Sequence, residues 1–383
     1  MGPSTPSSIS GSETGGATVS KEKQRLWGTL AVVGVWLALT AALWFGPRQD
    51  ISLWERRKLA QCPPLTAQGL LNGGFMTRFE AFTQDQFPLR DAFRSLKAGF
   101  NYGVLRKPDN NGIYLAEGQA AKLEYPLNQG SVAGAVEKFQ SIYDRYLKDH
   151  SGKILFCVVP DKGYYLAEGN GYPAMDYEAL FSAFREIPWA RYVDLTDTLS
   201  AACYYSTDLH WRQETLLDAA DRIADALGAE IEDDYSPVLI QRPFYGVYRG
   251  QAALPLKPDE LWVLESDTLS GCTVRNYETG ETTAVYDMTK LDSRDLYDVF
   301  LSGPAALLTI ENPRGEPGRE LIVFRDSFGS SLVPLLVPGY GKITLVDTRY
   351  IASGYLSDVI EFRGQDVLFL YSTPVLNQST MLK

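Results

Sequence analysis

Histidine chemistry has only two candidates in this chain. The 383 residues include His150 and His210 and no other histidine. A zinc or iron site built from several imidazoles is therefore excluded. His150 lies in Lys148-Asp-His-Ser-Gly152, at the predicted end of a helix, where an imidazole can interact favourably with the last carbonyl groups. We interpret His150 as a structural residue.

His210 lies in a different setting, Tyr205-Ser-Thr-Asp-Leu-His-Trp211, which has no helical period and precedes a predicted helix. In an extended segment, residues i and i+2 project to the same side with Cα atoms roughly 6.5–7 Å apart, so Asp208 can reach the imidazole. A carboxylate on one ring nitrogen fixes the tautomer and leaves the other nitrogen to accept a proton from a nucleophile. The alternative interpretation is a packed, hydrogen-bonded pair without catalytic function.

Ser327 is the candidate nucleophile. An apolar strand, Glu320–Phe324, runs into the polar corner Arg325-Asp-Ser327, and a helix is predicted to start near Phe328. Ligands of open α/β sheets bind beyond the carboxyl ends of strands, and an N–H at a helix start can hold a developing oxyanion. The corner is not a G-x-S-x-G elbow, so an α/β-hydrolase does not follow. Alternatively, Asp326 or Ser327 only caps the helix.

The elements that must position these residues alternate between strand and helix. This alternation predicts an α/β fold with a mainly parallel sheet and helices on both faces. The predicted strands are 153–159, 192–195, 320–324, 343–346 and 366–371, and the predicted helices are 136–147, 177–187, 214–227 and 329–336. Between about 236 and 310 the segments become short, polar and β-rich, which we interpret as an insertion beside the α/β core.

One segment is long and apolar enough to cross a membrane. Residues 26–45 form twenty residues without a charge, with Trp27 and Trp44 near the ends, and can span roughly 30 Å as a helix. No convincing cleavage site follows, so an uncleaved signal anchor is favoured over a secreted product. Basic residues flank both ends, and we favour the amino end inside. A buried helix of a soluble protein is the alternative.

The remaining organisation follows from composition. Residues 1–20 are rich in Ser, Gly, Thr and Pro and are predicted to be a disordered cytoplasmic tail. We expect a transmembrane signal anchor over 21–47, a juxtamembrane helical and loop region over 48–125, and the α/β domain over 126–383. The protein is then a single-pass protein of the cell membrane, with its carboxyl-terminal domain outside the cytoplasm.

Charge and cysteine content exclude several function classes. The 36 basic and 47 acidic residues give a net charge of −11, which argues against nucleic-acid binding. The four cysteines contain no C-x-x-C pair, so zinc ribbons and thioredoxin chemistry are not indicated, and no disulfide pairing is favoured. No nucleotide-binding or calcium-binding motif is visible. We expect no metal and no cofactor.

The sequence resembles the DHHW protein family, which is related to the SGNH-hydrolase-like domains of alginate O-acetyltransferases. The resemblance is carried by Thr207-Asp-Leu-His-Trp211, Arg325-Asp-Ser-Phe328 and Ile343-Thr-Leu-Val-Asp-Thr-Arg-Tyr350. Glu55-Arg-Arg-Lys-Leu-Ala60 and the region Phe75–Arg90 are similar to the amino-terminal pattern of the family. The similarity thus extends over nearly everything after the apolar segment and implies an SGNH-like fold.

One departure from the family pattern lies inside its central motif. The family has Asp-His-His-Trp, and Leu209 takes the place of the first histidine here. The catalytic pair of the acetyltransferase relatives corresponds to the aspartate and the second histidine, which are retained as Asp208 and His210. The resemblance therefore implies a triad of Ser327, His210 and Asp208, with the serine on the carboxyl-terminal side of the pair.

Further residues at the predicted sheet edge are candidates for substrate binding. Arg349 and Tyr350 follow a strand and would lie along the same edge as Ser327. Arg325 stands in the serine corner, and Lys162 lies just beyond the strand 153–159. Each can contact hydroxyl or carbonyl oxygens of a substrate. Ion pairing around the sheet edge explains these residues equally well.

These observations lead to a hypothesis with two rivals. The protein is expected to be a membrane-anchored, extracytoplasmic O-acyltransferase that acts on cell-surface polysaccharide, with acetyl as the acyl group implied by the resemblance. The resemblance also implies a membrane-bound O-acyltransferase partner that supplies acyl groups. One rival is a polysaccharide O-acetyl esterase with the same triad. The other is a polysaccharide-binding or assembly factor in which the triad is not used.

Overall fold

The computed structural model describes Gly2, the backbone of residues 14–22, and residues 23–383 in full. Residues 1 and 3–13 of the predicted tail lie outside the described residues, and the first helix begins within that tail, at Thr14. The helices are α1 (Thr14–Phe45), α2 (Ala67–Leu71), α3 (Gly74–Asp85), α4 (Arg90–Gly103), α5 (Gln129–Ile142), α6 (Lys162–Leu166), α7 (Tyr177–Arg185), α8 (Leu217–Leu227), α9 (Val247–Ala252), α10 (Asp267–Ser270), α11 (Gly329–Leu336) and α12 (Thr373–Leu376). The strands are β1 (Ile51–Ser52), β2 (Arg57–Lys58), β3 (Asp109–Asn110), β4 (Ile113–Ala116), β5 (Gln119–Lys122), β6 (Ile154–Val159), β7 (Arg191–Tyr192), β8 (Ser236–Phe244), β9 (Asp259–Glu265), β10 (Thr273–Asn276), β11 (Thr282–Thr283), β12 (Leu307–Glu311), β13 (Glu320–Arg325), β14 (Lys342–Val346) and β15 (Asp366–Ser372).

The chain forms two compact units. The first contains the described residues up to Ser52 together with Arg57–Arg94. Its α1 includes Lys23–Phe45, a stretch with a mean hydropathy of 1.9 and no buried portion, which is long and apolar enough to cross a membrane. The second unit contains Leu53–Arg56 and Ser95–Lys383. The predicted boundaries at residues 47 and 125 remain predictions.

The second unit is built on one large sheet. Its strands lie in the order β11-β10-β12-β14-β13-β15-β6-β7, and β14, β13, β15, β6 and β7 run parallel to their neighbours within this group. Strand β13 is central, so Val323 lies between Leu345 of β14 and Leu368 of β15. Strands buried on both faces carry unbroken apolar runs, as this one does. The predicted α/β fold with a mainly parallel sheet is confirmed.

Helices cover both faces of this sheet. Along β13, Leu321 and Val323 point into the core under α8 and α11, because successive side chains of a strand alternate between faces. Ile322 and Phe324 point to the opposite side, where the core includes Phe139 of α5 together with apolar residues of α7. The carboxyl end of β13 is therefore packed against helices on both faces of the sheet.

The segment predicted as a β-rich insertion beside the α/β core takes part in the main sheet. Strand β12 pairs antiparallel with β14 from Leu307 opposite Val346 to Glu311 opposite Lys342, and β10 and β11 continue this antiparallel edge. Without β12, β14 would present a row of unpaired backbone groups. Strands β8 and β9 pair with each other in a separate two-stranded sheet. The insertion thus completes the sheet as well as lying beside it.

Trp211 connects the loop that carries His210 to the start of helix α11, which follows Ser327. The pairing of Tyr204 with Trp211 closes a loop over residues 205–210. Trp211 is fully buried, and its Nε1–H donates to the carbonyl oxygen of Phe328 at 3.0 Å and to Ser331 Oγ at 2.9 Å. One indole therefore fixes the loop that carries His210 against the start of α11.

We expect Trp211→Phe to lower the free energy of unfolding by about 1–3 kcal/mol, because a buried carbonyl and a buried hydroxyl lose their shared donor. Denaturant titration of the full-length protein measures this loss. Trp189→Phe is the matched control, since its Nε1 donates to Gln140 Oε1 at a half-buried position where water can replace the indole. Equal losses in the two variants would contradict the special contribution of Trp211.

Candidate active site

The structure brings Ser327, His210 and Asp208 into one hydrogen-bonded line. Ser327 Oγ lies 2.9 Å from His210 Nε2, and His210 Nδ1 lies 2.7 Å from Asp208 Oδ1. Asp208 and His210 are buried, whereas Ser327 is half-buried and so keeps access to solvent. Both distances are within the reach needed for proton transfer from a serine to a base.

Asp208 holds a negative charge without contact with solvent. Burial alone would raise the pKa of this carboxyl, but Arg56, His210 and the Val247 N–H together hold the pKa well below its usual range. Arg56 Nη1 lies 3.1 Å from Asp208 Oδ2, and the Val247 N–H donates to the same oxygen at 2.9 Å. The carboxyl is therefore ionised at neutral pH.

The ionised carboxylate decides the tautomer of the imidazole. A carboxylate can only accept hydrogen bonds, so the proton between Asp208 Oδ1 and His210 must sit on Nδ1. In the neutral ring, Nε2 then has a free lone pair, and the Ser327 hydroxyl donates to it. This is the arrangement in which the imidazole can remove the serine proton.

The loop that carries this pair is bent, whereas the sequence interpretation assumed an extended segment. Asp208 Oδ1 accepts the His210 backbone N–H at 3.1 Å, which is a local turn formed by an aspartate side chain. Asp259 at the start of β9 accepts from Ser206 N–H, Thr207 N–H and the Thr207 hydroxyl. The i, i+2 spacing thus brings the imidazole of His210 to Asp208 because the backbone turns around the Asp208 carboxylate.

Gly246 allows close approach of the chain to this loop. A Cβ at this position would lie 2.3 Å from both the Thr207 carbonyl oxygen and Asp208 Cβ, so any side chain would displace the loop. The glycine N–H donates to Thr207 Oγ1 at 2.8 Å. Val247 follows Gly246 directly, so this close approach also places the Val247 N–H within hydrogen-bond distance of Asp208 Oδ2.

The serine corner is held by Asp326. Its Oδ1 accepts the Phe328 N–H at 3.0 Å, and its Oδ2 accepts from the N–H and hydroxyl of Ser372 at the end of β15. Asp326 therefore holds the turn before α11, whose N-cap residue Phe328 has no side-chain cap, while the Ser327 hydroxyl faces His210. Within the described part of the chain, the Ser327 N–H donates to no protein acceptor.

Tyr297 fixes the plane of the imidazole. Its ring stacks on His210 with centroids 3.9 Å apart and planes 7° from parallel. The Tyr297 hydroxyl is 2.7 Å from Ser331 Oγ, and burial raises the pKa of this phenol well above its usual value. A neutral aromatic ring, itself tied to α11, therefore keeps Nε2 directed at the serine.

Two of the residues predicted to bind substrate lie together after β14. Arg349 forms a two-point ion pair with the buried Asp347, with Nη2 2.6 Å from Oδ2 and Nε 2.9 Å from Oδ1. The neighbouring Tyr350 ring lies 5.5 Å from the guanidinium and is 46% exposed. The ion pairing expected as an alternative is thus present at Arg349, and contact of either residue with substrate remains a prediction.

The other two predicted substrate residues are buried. Arg325 lies 4.0 Å from Asp347, and its Nη1 donates to Ser330 Oγ at 3.1 Å. Lys162 donates to the carbonyl oxygens of Tyr205, at 2.9 Å, and Ala120. Burial lowers the pKa of Lys162 to about 7. Substrate contact by Arg325 and Lys162 remains a prediction, and in the structure both side chains contact protein groups.

Sequence reasoning missed three residues that shape the site. Arg56, Asp259 and Tyr297 lie far along the chain from the motifs they contact. Arg56 left one signal, because it belongs to the segment Glu55–Ala60 that carries part of the family resemblance. Asp259 and Tyr297 left none, since neither stands in a motif or at a recognisable spacing.

Comparisons with known proteins identify the fold. No family model and no curated protein matches the chain. Among solved structures, a DHHW family protein from Eubacterium siraeum is 21% identical, with a TM-score of 0.56 over 71% of this chain and 94% of that one. Bacillus cereus PatB1 is 16% identical, with a TM-score of 0.55 over 69% of this chain and 96% of that one. A second PatB1 structure, with a sulfonyl adduct, has a TM-score of 0.54, an identity of 15% and coverage of 69% and 95%. The predicted likeness to the DHHW family is thus confirmed at the level of the fold.

Replacing Arg56 by glutamine should lower the free energy of unfolding at pH 7 by about 3 kcal/mol, because it leaves a buried carboxylate without its cation. Arg57→Gln, one residue later, breaks a more exposed ion pair with Asp85 and should cost at most about 1 kcal/mol. Urea titration of both variants of the full-length protein measures the difference.

The pH dependence of the unfolding free energy shows whether the loss in Arg56→Gln comes from the missing charge or from missing packing contacts. A carboxyl whose folded-state pKa is depressed contributes stability that is present above its unfolded pKa of about 3.9 and is lost as the pH falls through the folded pKa. Without Arg56, the folded-state pKa of Asp208 rises, so the gap in unfolding free energy to the wild type should narrow in acid. A gap that stayed constant down to the pH at which the wild type itself unfolds in acid would instead indicate lost packing.

Proposed function

We propose that the protein is a membrane-anchored, extracytoplasmic serine O-acyltransferase that modifies hydroxyl groups of a cell-surface polysaccharide. The observation that carries this proposal is the contact of Ser327 Oγ with His210 Nε2, in line with an ionised Asp208. The serine lies at the carboxyl end of a parallel strand and remains partly accessible. The motifs around Asp208, His210 and Ser327 resemble those of the DHHW family, from which this function is inferred, and the chain is similar in fold to a protein of that family.

The first half of the reaction loads the serine. His210 Nε2 takes the hydroxyl proton of Ser327 while Oγ bonds to the acyl carbonyl carbon of a donor ester or thioester. The tetrahedral intermediate collapses, the bond to the donor's leaving group breaks, and the imidazolium returns the proton to that group. The products are acyl-serine and the free alcohol or thiol of the donor.

The second half transfers the acyl group to the acceptor. A sugar hydroxyl gives its proton to His210 Nε2 and attacks the acyl-serine carbonyl. Collapse breaks the bond to Oγ, and the imidazolium protonates Ser327. Asp208 stays ionised throughout, because its charge is held by Arg56 and by the Val247 N–H as well as by the ring.

The oxyanion of both intermediates needs a preorganised donor. The Ser327 N–H has no protein acceptor within the described residues and belongs to the nucleophile itself, so it is the donor best placed for this charge. The neighbouring N–H of Phe328 is already bound to Asp326, and that of Gly329 to the Asp326 carbonyl. We assign the Ser327 N–H to the oxyanion site.

The donor and acceptor complete the proposal. The apolar stretch Lys23–Phe45 would hold the catalytic unit on the outer side of the cell membrane, where cytoplasmic acyl donors do not reach it. A membrane-bound O-acyltransferase that passes acyl groups across the bilayer would supply them. Arg349 and Tyr350 would contact the sugar, with the exposed tyrosine ring as a stacking surface.

Hydrolysis of p-nitrophenyl acetate by the full-length protein tests the nucleophile and the base. Ser327→Ala and His210→Gln should each lower the rate about 10²–10⁴-fold, because each removes a group that takes part in bond formation or proton transfer. His150→Gln is the matched control and should retain the rate, since this imidazole contacts the Gln365 carbonyl away from the serine. Wild-type turnover no faster than that of Ser327→Ala would refute an enzymatic function.

The acceptor distinguishes a transferase from an esterase with the same residues. The enzyme is supplied with isotopically labelled aryl acetate and an excess of polysaccharide, and both labelled glycan and free acetate are quantified. A transferase should place label on the glycan and lose this product in Ser327→Ala. Acetate as the sole product, at a rate that the glycan does not change, would favour the esterase.

A further inference from the structure

Helix α4 exposes a continuous apolar face. Phe93, Leu96 and Phe100 lie three and four residues apart on this helix, and Val104 continues the series just after its end. At 100° per residue these four side chains fall within one narrow stripe. They are between 46% and 69% exposed, although large apolar side chains grouped in this way favour burial.

The opposite side of α4 already makes the contacts that hold the helix to the protein. Ala98 and Asn101 are buried, and Asn101 Nδ2 donates to Asn110 Oδ1 at 2.9 Å. The Tyr102 hydroxyl donates to the Ile113 carbonyl oxygen at 2.6 Å. The exposed stripe is therefore not the face by which this helix packs on the core. Its apolar side chains would be buried only by contact with a further apolar surface.

The charge around this face differs in sign from that of the whole chain. Residues 90–107 contain five basic residues and one acidic residue, whereas the chain carries a net charge of −11. Lys97, Arg106 and Lys107 are exposed, and Lys97 follows directly after Leu96 of the apolar stripe. A partner for this surface must therefore be apolar at its centre and negatively charged around it.

We propose that α4 lies on an anionic lipid surface, with Phe93, Leu96, Phe100 and Val104 at the boundary of headgroups and acyl chains. An amphipathic helix with Phe and Leu on one face and Lys or Arg beside it is the sequence form that binds at this depth. Each basic side chain near an anionic leaflet adds to the attraction. This contact is a second membrane attachment, distinct from the apolar stretch of α1 and from the proposed catalysis.

The test uses the full-length protein in lipid nanodiscs that contain anionic phosphatidylglycerol. A nitroxide label is placed at Leu96→Cys, in a background with serine at the accessible Cys62 and Cys203. Ser95→Cys is the matched control, because it is exposed and lies one residue away, on another side of the same helix. Collision rates with oxygen, which enters lipid, and with a water-soluble nickel chelate are compared by electron paramagnetic resonance.

We expect the oxygen-to-nickel collision ratio to be several-fold higher at Leu96 than at Ser95. It should fall several-fold when Lys97, Arg106 and Lys107 are all replaced by glutamate, or when the anionic lipid is omitted. Equal ratios at the two sites would place the apolar face in water and overturn the proposal. Exclusion of both reagents at Leu96 would also overturn it, because a second copy or another protein would then cover the face. Co-purification with nanodiscs reports on α1 and aryl acetate hydrolysis on the active site, so each of these can fail separately.

Discussion

A negative charge that never meets solvent organises the site. The Asp208 carboxylate is fully buried, and an unpaired charge there would cost several kcal/mol. Its donors come from three stretches of chain: Arg56, the Val247 N–H, and the His210 ring and backbone. Keeping the charge thus requires these stretches to close around one carboxylate. The same charge places the imidazole proton on Nδ1, so the constraint that holds the loop together also makes Nε2 a base.

The second requirement is to bring a serine to that base across 117 residues of sequence. The parallel sheet does this by ending β13 at the corner that Asp326 ties to β15. Trp211 then joins the two motifs through its bonds to Phe328 and Ser331, and Tyr297 reaches the same Ser331 while stacking on His210. The geometry of the serine and histidine is therefore a property of the core, because the contacts that fix it are buried ones.

The features that could be predicted from the sequence are those formed by residues close together in the chain. Continuous apolar runs predicted the parallel strands, and the change from strand to polar corner to helix marked Ser327. Contacts between segments that are distant in the chain produce no comparable pattern in the sequence. Nothing in the spacing shows that Asp259 holds Thr207 or that β12 pairs with β14. The local turn at Asp208 was also hidden, since an i, i+2 pair fits an extended strand and a side-chain turn equally well.

The acidic surroundings of His210 bear on the proposed acyl transfer. Arg56 is shared between Asp208 and Asp295, whose Oδ2 lies 2.7 Å from the guanidinium. Burial and the charge of Asp208 raise the pKa of Asp295 despite Arg56, and burial and Asp295 raise the pKa of Asp298 to about 6. Arg56 thus lies beside more carboxyl groups than a single guanidinium can neutralise. In the proposed reaction a proton that moves from Ser327 to His210 places a positive charge 2.7 Å from the Asp208 carboxylate, which is the contact through which the aspartate of such a triad stabilises the charged ring.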